Sequence, residues 1–263
     1  MDPDDRKTSI NFSEAIDMNP MWRLVFKNMA GGQSSREVIF KSAAMALPAT
    51  LLAIPYFYFL LFDFPRKSGL CGWDNAYSIL WGQTAMIFVV CMLSAIGGSV
   101  FTRRLHLPGL GEKKHWLNEL PYLAAGGLVL MLIIYLAFDR YFYPVSPGSY
   151  PDLGIYTALL PLKGVFTEEL ILRYGLVTLA VGICRNRYGG AALVAGFATL
   201  LSIKYLEFAG IPLEWGYLCI IQLVFSFTVN FILGAVFVTR GLLSAMTLKL
   251  MLELRYVLAA GLL

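Results

Sequence analysis

The sequence predicts an all-α, polytopic transmembrane bundle of about seven spans, preceded by a short helix lying along the membrane interface. Three observations carry this. Of the 263 residues, 58% are hydrophobic and only 14% charged, far below the ~25% of soluble domains. Mean hydropathy is +0.66. Uncharged apolar stretches recur, each about long enough to cross a ~30 Å hydrocarbon core at ~1.5 Å per helical residue. The basic residues then fall into alternate gaps between those stretches, as a fixed orientation in a bilayer requires.

Residues 1–37 form a polar N-terminal segment. It opens on Asp2, Asp4 and Asp5 with no apolar run behind them, so no cleavable signal peptide is expected. Asn19-Pro20 reads as a helix cap with a first-turn proline, and Gly31-Gly32 as a stop. Between them Met21, Trp22, Val25, Phe26 and Met29 make an apolar stripe beside Arg23 and Lys27. That pattern suits an interfacial amphipathic helix, with docking on another protein as the alternative. Residues 38–263 are the expected bundle, with spans at 42–62, 75–102, 120–138, 150–184, 189–205, 215–239 and 242–263. Pro48 and Pro55 are read as tolerated kinks in the first span. The fourth is over-long, with Pro161 and Gly164 placed to break or kink it. No internal repeat, linker or second domain is evident.

Arg23, Lys27, Arg36, Lys41, Arg103, Arg104, Lys113, Lys114, Arg185, Arg187 and Arg240 fall on one side of the expected bundle; Arg66, Lys67 and Arg140 fall on the other. The N-terminus is therefore expected in the cytoplasm of a cell bounded by this membrane, and the aromatic 141–151 loop outside. The formal charge is only +4, with no basic run interleaved with aromatics, so nucleic acid is not expected as a partner. Cys71, Cys91, Cys184 and Cys219 are far apart and lack metal-ligand spacing, so they read as small apolar side chains. No cofactor or metal is expected.

Chemistry is sought where charge interrupts the spans. Glu168, Glu169 and Arg173 lie between the apolar flanks 155–166 and 176–184. Each ionised group at mid-span costs roughly 2.5–3.5 kcal/mol, so three within six positions must be paired, hydrated or functional. Glu169 and Arg173 are i and i+4 on a regular helix and share a face, while Glu168 points about 100° away with no partner at that spacing. Further along stand Lys204 in the fifth span, Gln222 and Asn230 in the sixth, and Lys249 and Glu253 in the seventh, with Arg255 just beyond. Glu168, Glu169 and Glu253 can meet Arg173, Lys204, Lys249 and Arg255 if spans four, five and seven pack together. Lys204 and Arg255 lie near span ends, so snorkelling to an interface is the alternative for both.

Glu-Glu-x-x-x-Arg followed by Tyr-Gly-Leu (Glu168, Glu169, Arg173, Gly175, Leu176) resembles the first motif of the CPBP family, the CAAX-type or abortive-infection intramembrane proteases. The run Leu233 to Ser244 resembles the family's Gly-rich approach to its last motif, and the resemblance spans about residues 156–256. It implies a membrane-embedded hydrolase site in which the first glutamate, here Glu168, acts as general base on water, with Glu169 and Arg173 as its partners. The family's two histidine motifs depart here. The only histidines are His106 and His115, both in the polar loop after the second span. By register, lysine takes each histidine position: Leu200-x-x-x-Lys204 for one and Lys249-x-x-x-Glu253 for the other. If Phe197 is instead the motif phenylalanine, Leu201 takes the first of those places.

Lysine has three donors and no lone pair while charged, so it neither relays a proton as imidazole does nor replaces imidazole on a metal. The resemblance with this substitution implies a protease frame without the usual chemistry: a membrane binding or assembly factor, surrounded by lipid and holding a membrane or lipidated protein. The alternative is a divergent glutamate-dependent intramembrane endopeptidase in which Lys204 or Lys249 polarises the substrate carbonyl. A transporter is a third class, motivated only by charge at membrane depth.

Overall fold

Long runs of Leu, Ile, Val, Phe and Ala leave no polar side chain to satisfy backbone N–H and C=O groups, so each run must satisfy its own by forming a helix. This computed structural model describes residues 35–63, 75–142, 155–208 and 216–262. Among them there are seven helices and no strand. The expected interfacial helix between residues 19 and 32, and most of the aromatic 141–151 loop, lie outside the described residues.

Helix α1 (Ser35–Tyr58) carries Pro48 and Pro55 and widens into a π-helical turn at Phe59–Asp63. Helix α2 is Ala76–Arg104. Helix α3 (Lys113–Ile134) passes through a π-helical turn, Tyr135–Asp139, and closes with Arg140–Phe142. Helix α4 starts as Ile155–Lys163, is π-helical over Gly164–Glu168 and Leu170–Val177, and ends as Thr178–Cys184. Helices α5 (Arg187–Phe208) and α6 (Tyr217–Arg240) follow. Helix α7 (Leu242–Glu253) resumes as Arg255–Leu262 beyond a turn at Leu254.

Four of the seven, α1, α2, α3 and α6, are long and apolar enough to cross a membrane. Among the described residues α5 is a shorter apolar helix, Arg187–Ile203, while α4 carries the charged π-helical stretch and α7 turns at Leu254. In the four long helices only 17–33% of the most apolar window is buried. Side chains such as Leu93, Val129, Ile183 and Leu193 face outward instead. An apolar exterior of this extent suits lipid rather than water. The cysteine reading holds at Cys91 and Cys219, both buried, whereas Cys184 faces outward and Cys71 lies outside the described residues.

Helix α4 sits at the centre and packs on α1, α2, α5, α6 and α7, while α3 packs on α7. Small residues let α4 and α2 approach closely, as is usual between apolar helices. A Cβ on Gly98 would stand 2.2 Å from the Tyr174 ring, and one on Gly175 would stand 2.8 Å from Ser94 Cβ. At one end the α2–α3 loop docks on the break between α6 and α7. Gly241 takes φ +100° there, and the first free amides of α7 are satisfied across the gap: Leu242 N–H donates to Gly109 O at 2.9 Å and Leu243 N–H to Leu110 O at 3.1 Å. Arg187 donates to His106 O at 3.0 Å, and Arg240 pairs with Glu119, so three basic turns gather at this end.

Candidate functional site

The expected kink in α4 takes the form of a widened helix. Pro161 has no N–H to give to the preceding turn, and three residues later, at Gly164, the helix passes into i→i+5 bonding. Such π-helical segments are rare and cluster at functional positions. The wider turn brings residues five apart onto one face. Lys163 and Glu168 are five apart, and Lys163 Nζ lies 2.5 Å from Glu168 Oε1. This corrects the expectation that Glu168 lacks a local partner, which assumed a regular α-helical spacing. Lys163 sits inside the 155–166 flank that reads as apolar, and its own position in the sequence was the signal that could have found it.

The second oxygen of Glu168 meets α7. Lys249 Nζ is 3.3 Å from Glu168 Oε2 and also pairs with Glu253, one helical turn further along α7. The result is a chain of alternating charge, Lys163–Glu168–Lys249–Glu253, tying α4 to α7. The Lys163, Lys249 and Glu253 side chains are only 10–15% exposed, while that of Glu168 is 34% exposed. The Lys163 ammonium also lies 4.1 Å above the Tyr56 ring of α1. Gly164 gives Glu253 its space, since a Cβ there would touch the Glu253 carboxyl carbon at 3.4 Å.

Glu169 and Arg173 form a second, separate pair. Both are fully buried, with Arg173 Nε 3.3 Å from Glu169 Oε2. The contact is coulombic rather than a hydrogen bond, because neither Glu169 oxygen accepts one. Arg173 Nη2 instead donates to Asn230 Oδ1 of α6 at 2.8 Å, and Asn230 Nδ2 donates to Ser226 O, also at 2.8 Å.

A third pair stands apart. Arg255 lies 3.4 Å from Asp139, at the π-helical turn of α3. The sequence reading offered Arg255 to the glutamates or to an interface; the structure gives it the buried Asp139 as a partner. Among the described residues, Glu168, Glu169, Glu253 and Asp139 thus stand in ion pairs with Lys163, Lys249, Arg173 and Arg255. Helix α5 packs on α4 and α6, but the Lys204 side chain lies outside the described residues. Among the described side chains the charge network joins α4 to α7 and, through Asn230, to α6; the expected contribution of span five through Lys204 lies outside the described residues.

Beside the Lys249–Glu253 pair lies a cavity of about 120 Å³ between α3, α6 and α7. Gln222, Ser226, Asn230 and Arg255 give it a polar wall, and Ile134, Phe225, Val229 and Leu252 an apolar one. Chemically, the arrangement offers a carboxylate held at both oxygens by ammonium groups, one of which, Lys249, lines a small polar space. Comparison with known proteins adds nothing to this geometry: no family model, no curated protein and no solved structure matches the chain.

Proposed function

We propose that this chain is an integral membrane protein crossing the bilayer about seven times, and that it keeps the frame of a CPBP-type intramembrane endopeptidase while working as a binding or assembly factor. The observation that carries the reading is the engagement of Glu168. One oxygen lies 2.5 Å from Lys163 and the other 3.3 Å from Lys249. A general base must offer a lone pair to a water within hydrogen-bond reach. Both oxygens of Glu168 are committed to ammonium groups, and a charged lysine has no lone pair with which to pass a proton on. The same contacts fasten α4 to α7, so the charged residues serve to hold the bundle. The partner is a membrane or lipidated protein, with lipid around the whole. A cytoplasmic N-terminus is supported by the basic turns gathered at one end.

The test is to purify the protein with whatever membrane partner it retains and to follow the partner's mass over time, beside a Glu168→Gln variant. The expected result is an intact partner in both preparations. Cleavage that disappears in Glu168→Gln would overturn the reading.

One pair of observations favours a second reading, that of a divergent active endopeptidase. The Glu168 side chain is 34% exposed, and the 120 Å³ polar cavity adjoins its Lys249 partner. In this reading Lys249 steadies the oxyanion as a fixed cation. In the folded fraction of Lys249→Met, cleavage seen in the parent protein would then be lost; a parent protein that retains its partner uncleaved argues for the first reading.

A further inference from the structure

We infer that the cavity enclosed by α1, α2 and the loop joining α2 to α3 is a binding site for the headgroup of an anionic phospholipid. The cavity has a volume of about 540 Å³, well within the ~300–1,000 Å³ range of small-molecule sites. It lies at the end of the bundle where the basic turns gather, next to the loop that caps α7.

The chemistry is graded from mouth to floor. At the mouth are Lys41 of α1 and Arg103 of α2. Lys41 is paired with Glu37 at 2.6 Å, whereas the Arg103 side chain is exposed and makes no salt bridge or hydrogen bond among the described residues. The guanidinium is therefore free to offer its fork of donors to a phosphate, the geometry in which arginine binds phosphate best. Deeper in, Ser99 and the Tyr174 hydroxyl line the cavity, the latter at 3.4 Å from Ser99 Oγ and thus only weakly engaged. Tyr174 is 4% exposed, and its ring is wedged over Gly98. These hydroxyls suit the glycerol and ester oxygens of a lipid. Met45 and Leu107 complete the walls with apolar surface for the start of an acyl chain.

Basic pockets between membrane helices at the cytoplasmic surface are a recurrent place for anionic lipid headgroups. The unpaired charge of Arg103 at the mouth favours an anionic headgroup over choline or ethanolamine, whose own cation would face it. The site also reaches the charged interior. Tyr174 belongs to the π-helical stretch Leu170–Val177 and directly follows Arg173, so an occupied cavity braces the segment of α4 that holds the Glu169–Arg173 pair.

The inference rests on the membrane-spanning reading and is independent of whether Glu168 cleaves anything. The full chain would be reconstituted in nanodiscs of phosphatidylcholine with and without phosphatidylglycerol, and the lipids retained after release would be identified by native mass spectrometry. Retention of phosphatidylglycerol over phosphatidylcholine is expected. Arg103→Gln should weaken that retention on the order of tenfold. Arg185→Gln, an exposed arginine at the α4–α5 turn outside the cavity, should leave it unchanged. Equal loss in the two variants would reduce the effect to general surface charge and overturn the site. Thermal stabilisation of the detergent-solubilised protein by inorganic phosphate, equal to that by phosphatidylglycerol, would overturn the lipid assignment in favour of a soluble phosphate. Failure to enter the nanodisc would instead overturn the membrane reading itself.

Discussion

Replacing Lys249 by methionine removes an ammonium that touches two carboxylates, and the two are left in different positions. Glu168 keeps Lys163 at 2.5 Å and is 34% exposed. Glu253 is only 10% exposed and loses the partner one turn before it on α7. The loss therefore falls chiefly on Glu253, and breaking a buried pair by removing one member typically costs about 3–5 kcal/mol. Removing the carboxylate first should cost less: in Glu253→Gln the ammonium still has Glu168, so about 1–3 kcal/mol is expected. The double variant Lys249→Met/Glu253→Gln leaves no uncompensated charge at that point, and should fall short of the summed single losses by at least ~1 kcal/mol. A parallel cycle with Glu168→Gln should show weaker coupling, because Glu168 is more exposed and has a second cation. The assay is unfolding in mixed detergent and SDS micelles followed by tryptophan fluorescence. Additivity within ~0.5 kcal/mol in the Glu253 cycle would refute the reasoning, as would stronger coupling to Glu168 than to Glu253.

Other expectations follow from single contacts. Asn230→Ala should destabilise the protein by about 1–3 kcal/mol in the same assay, because it strips from the fully buried Arg173 side chain its one hydrogen bond among the described residues. Gly241→Ala combines a φ of +100° with a Cβ only 2.6 Å from the Gly111 backbone, so a visible fall in thermal midpoint is expected, on the order of 1–3 kcal/mol from the backbone alone. Trp116→Phe removes the 2.8 Å bond from Nε1 to Thr247 that joins α3 to α7, and should cost about 1 kcal/mol by thermal or SDS unfolding.

The helical class was legible because it depends on composition and run length, which survive any error of a few residues at a boundary. The meeting of Lys249 with the α4 glutamates was also within reach, since an ion at that depth has to find a counter-ion. What escaped was local geometry. Arithmetic at 3.6 residues per turn separates Lys163 from Glu168; the wider π-helical register brings them onto one face and leaves Glu169 beside Arg173. Asp139 escaped for a related reason. It stands at the end of a long apolar run and resembles a span boundary, yet a π-helical turn carries it into a position 1% exposed, facing Arg255. Asn230 was visible as a polar residue in the sixth span, but its role depends on α6 packing against α4, which no periodicity within one helix specifies.

The π-helical stretch also explains why the charged residues can coexist at all. Glu168 and Glu169 are adjacent, and on a regular helix both would draw on cations one turn ahead or behind, where the sequence supplies Arg173 and little else. With the turn widened on both sides of Glu169, the two carboxylates diverge. Glu169 stays in the interior with Arg173 and the α6 amide, while Glu168 turns toward α7 and recovers Lys163 from five residues earlier. A wide turn gives up regular i→i−4 bonding, so it persists only where side-chain contacts offset the difference, and here those contacts are the ion pairs themselves. The register and the pairing thus depend on each other. In the proposed function this matters more than the identity of any single residue: a glutamate held between two lysines by a helix that must stay wide is a fastening, and what it secures is the α4–α7 joint.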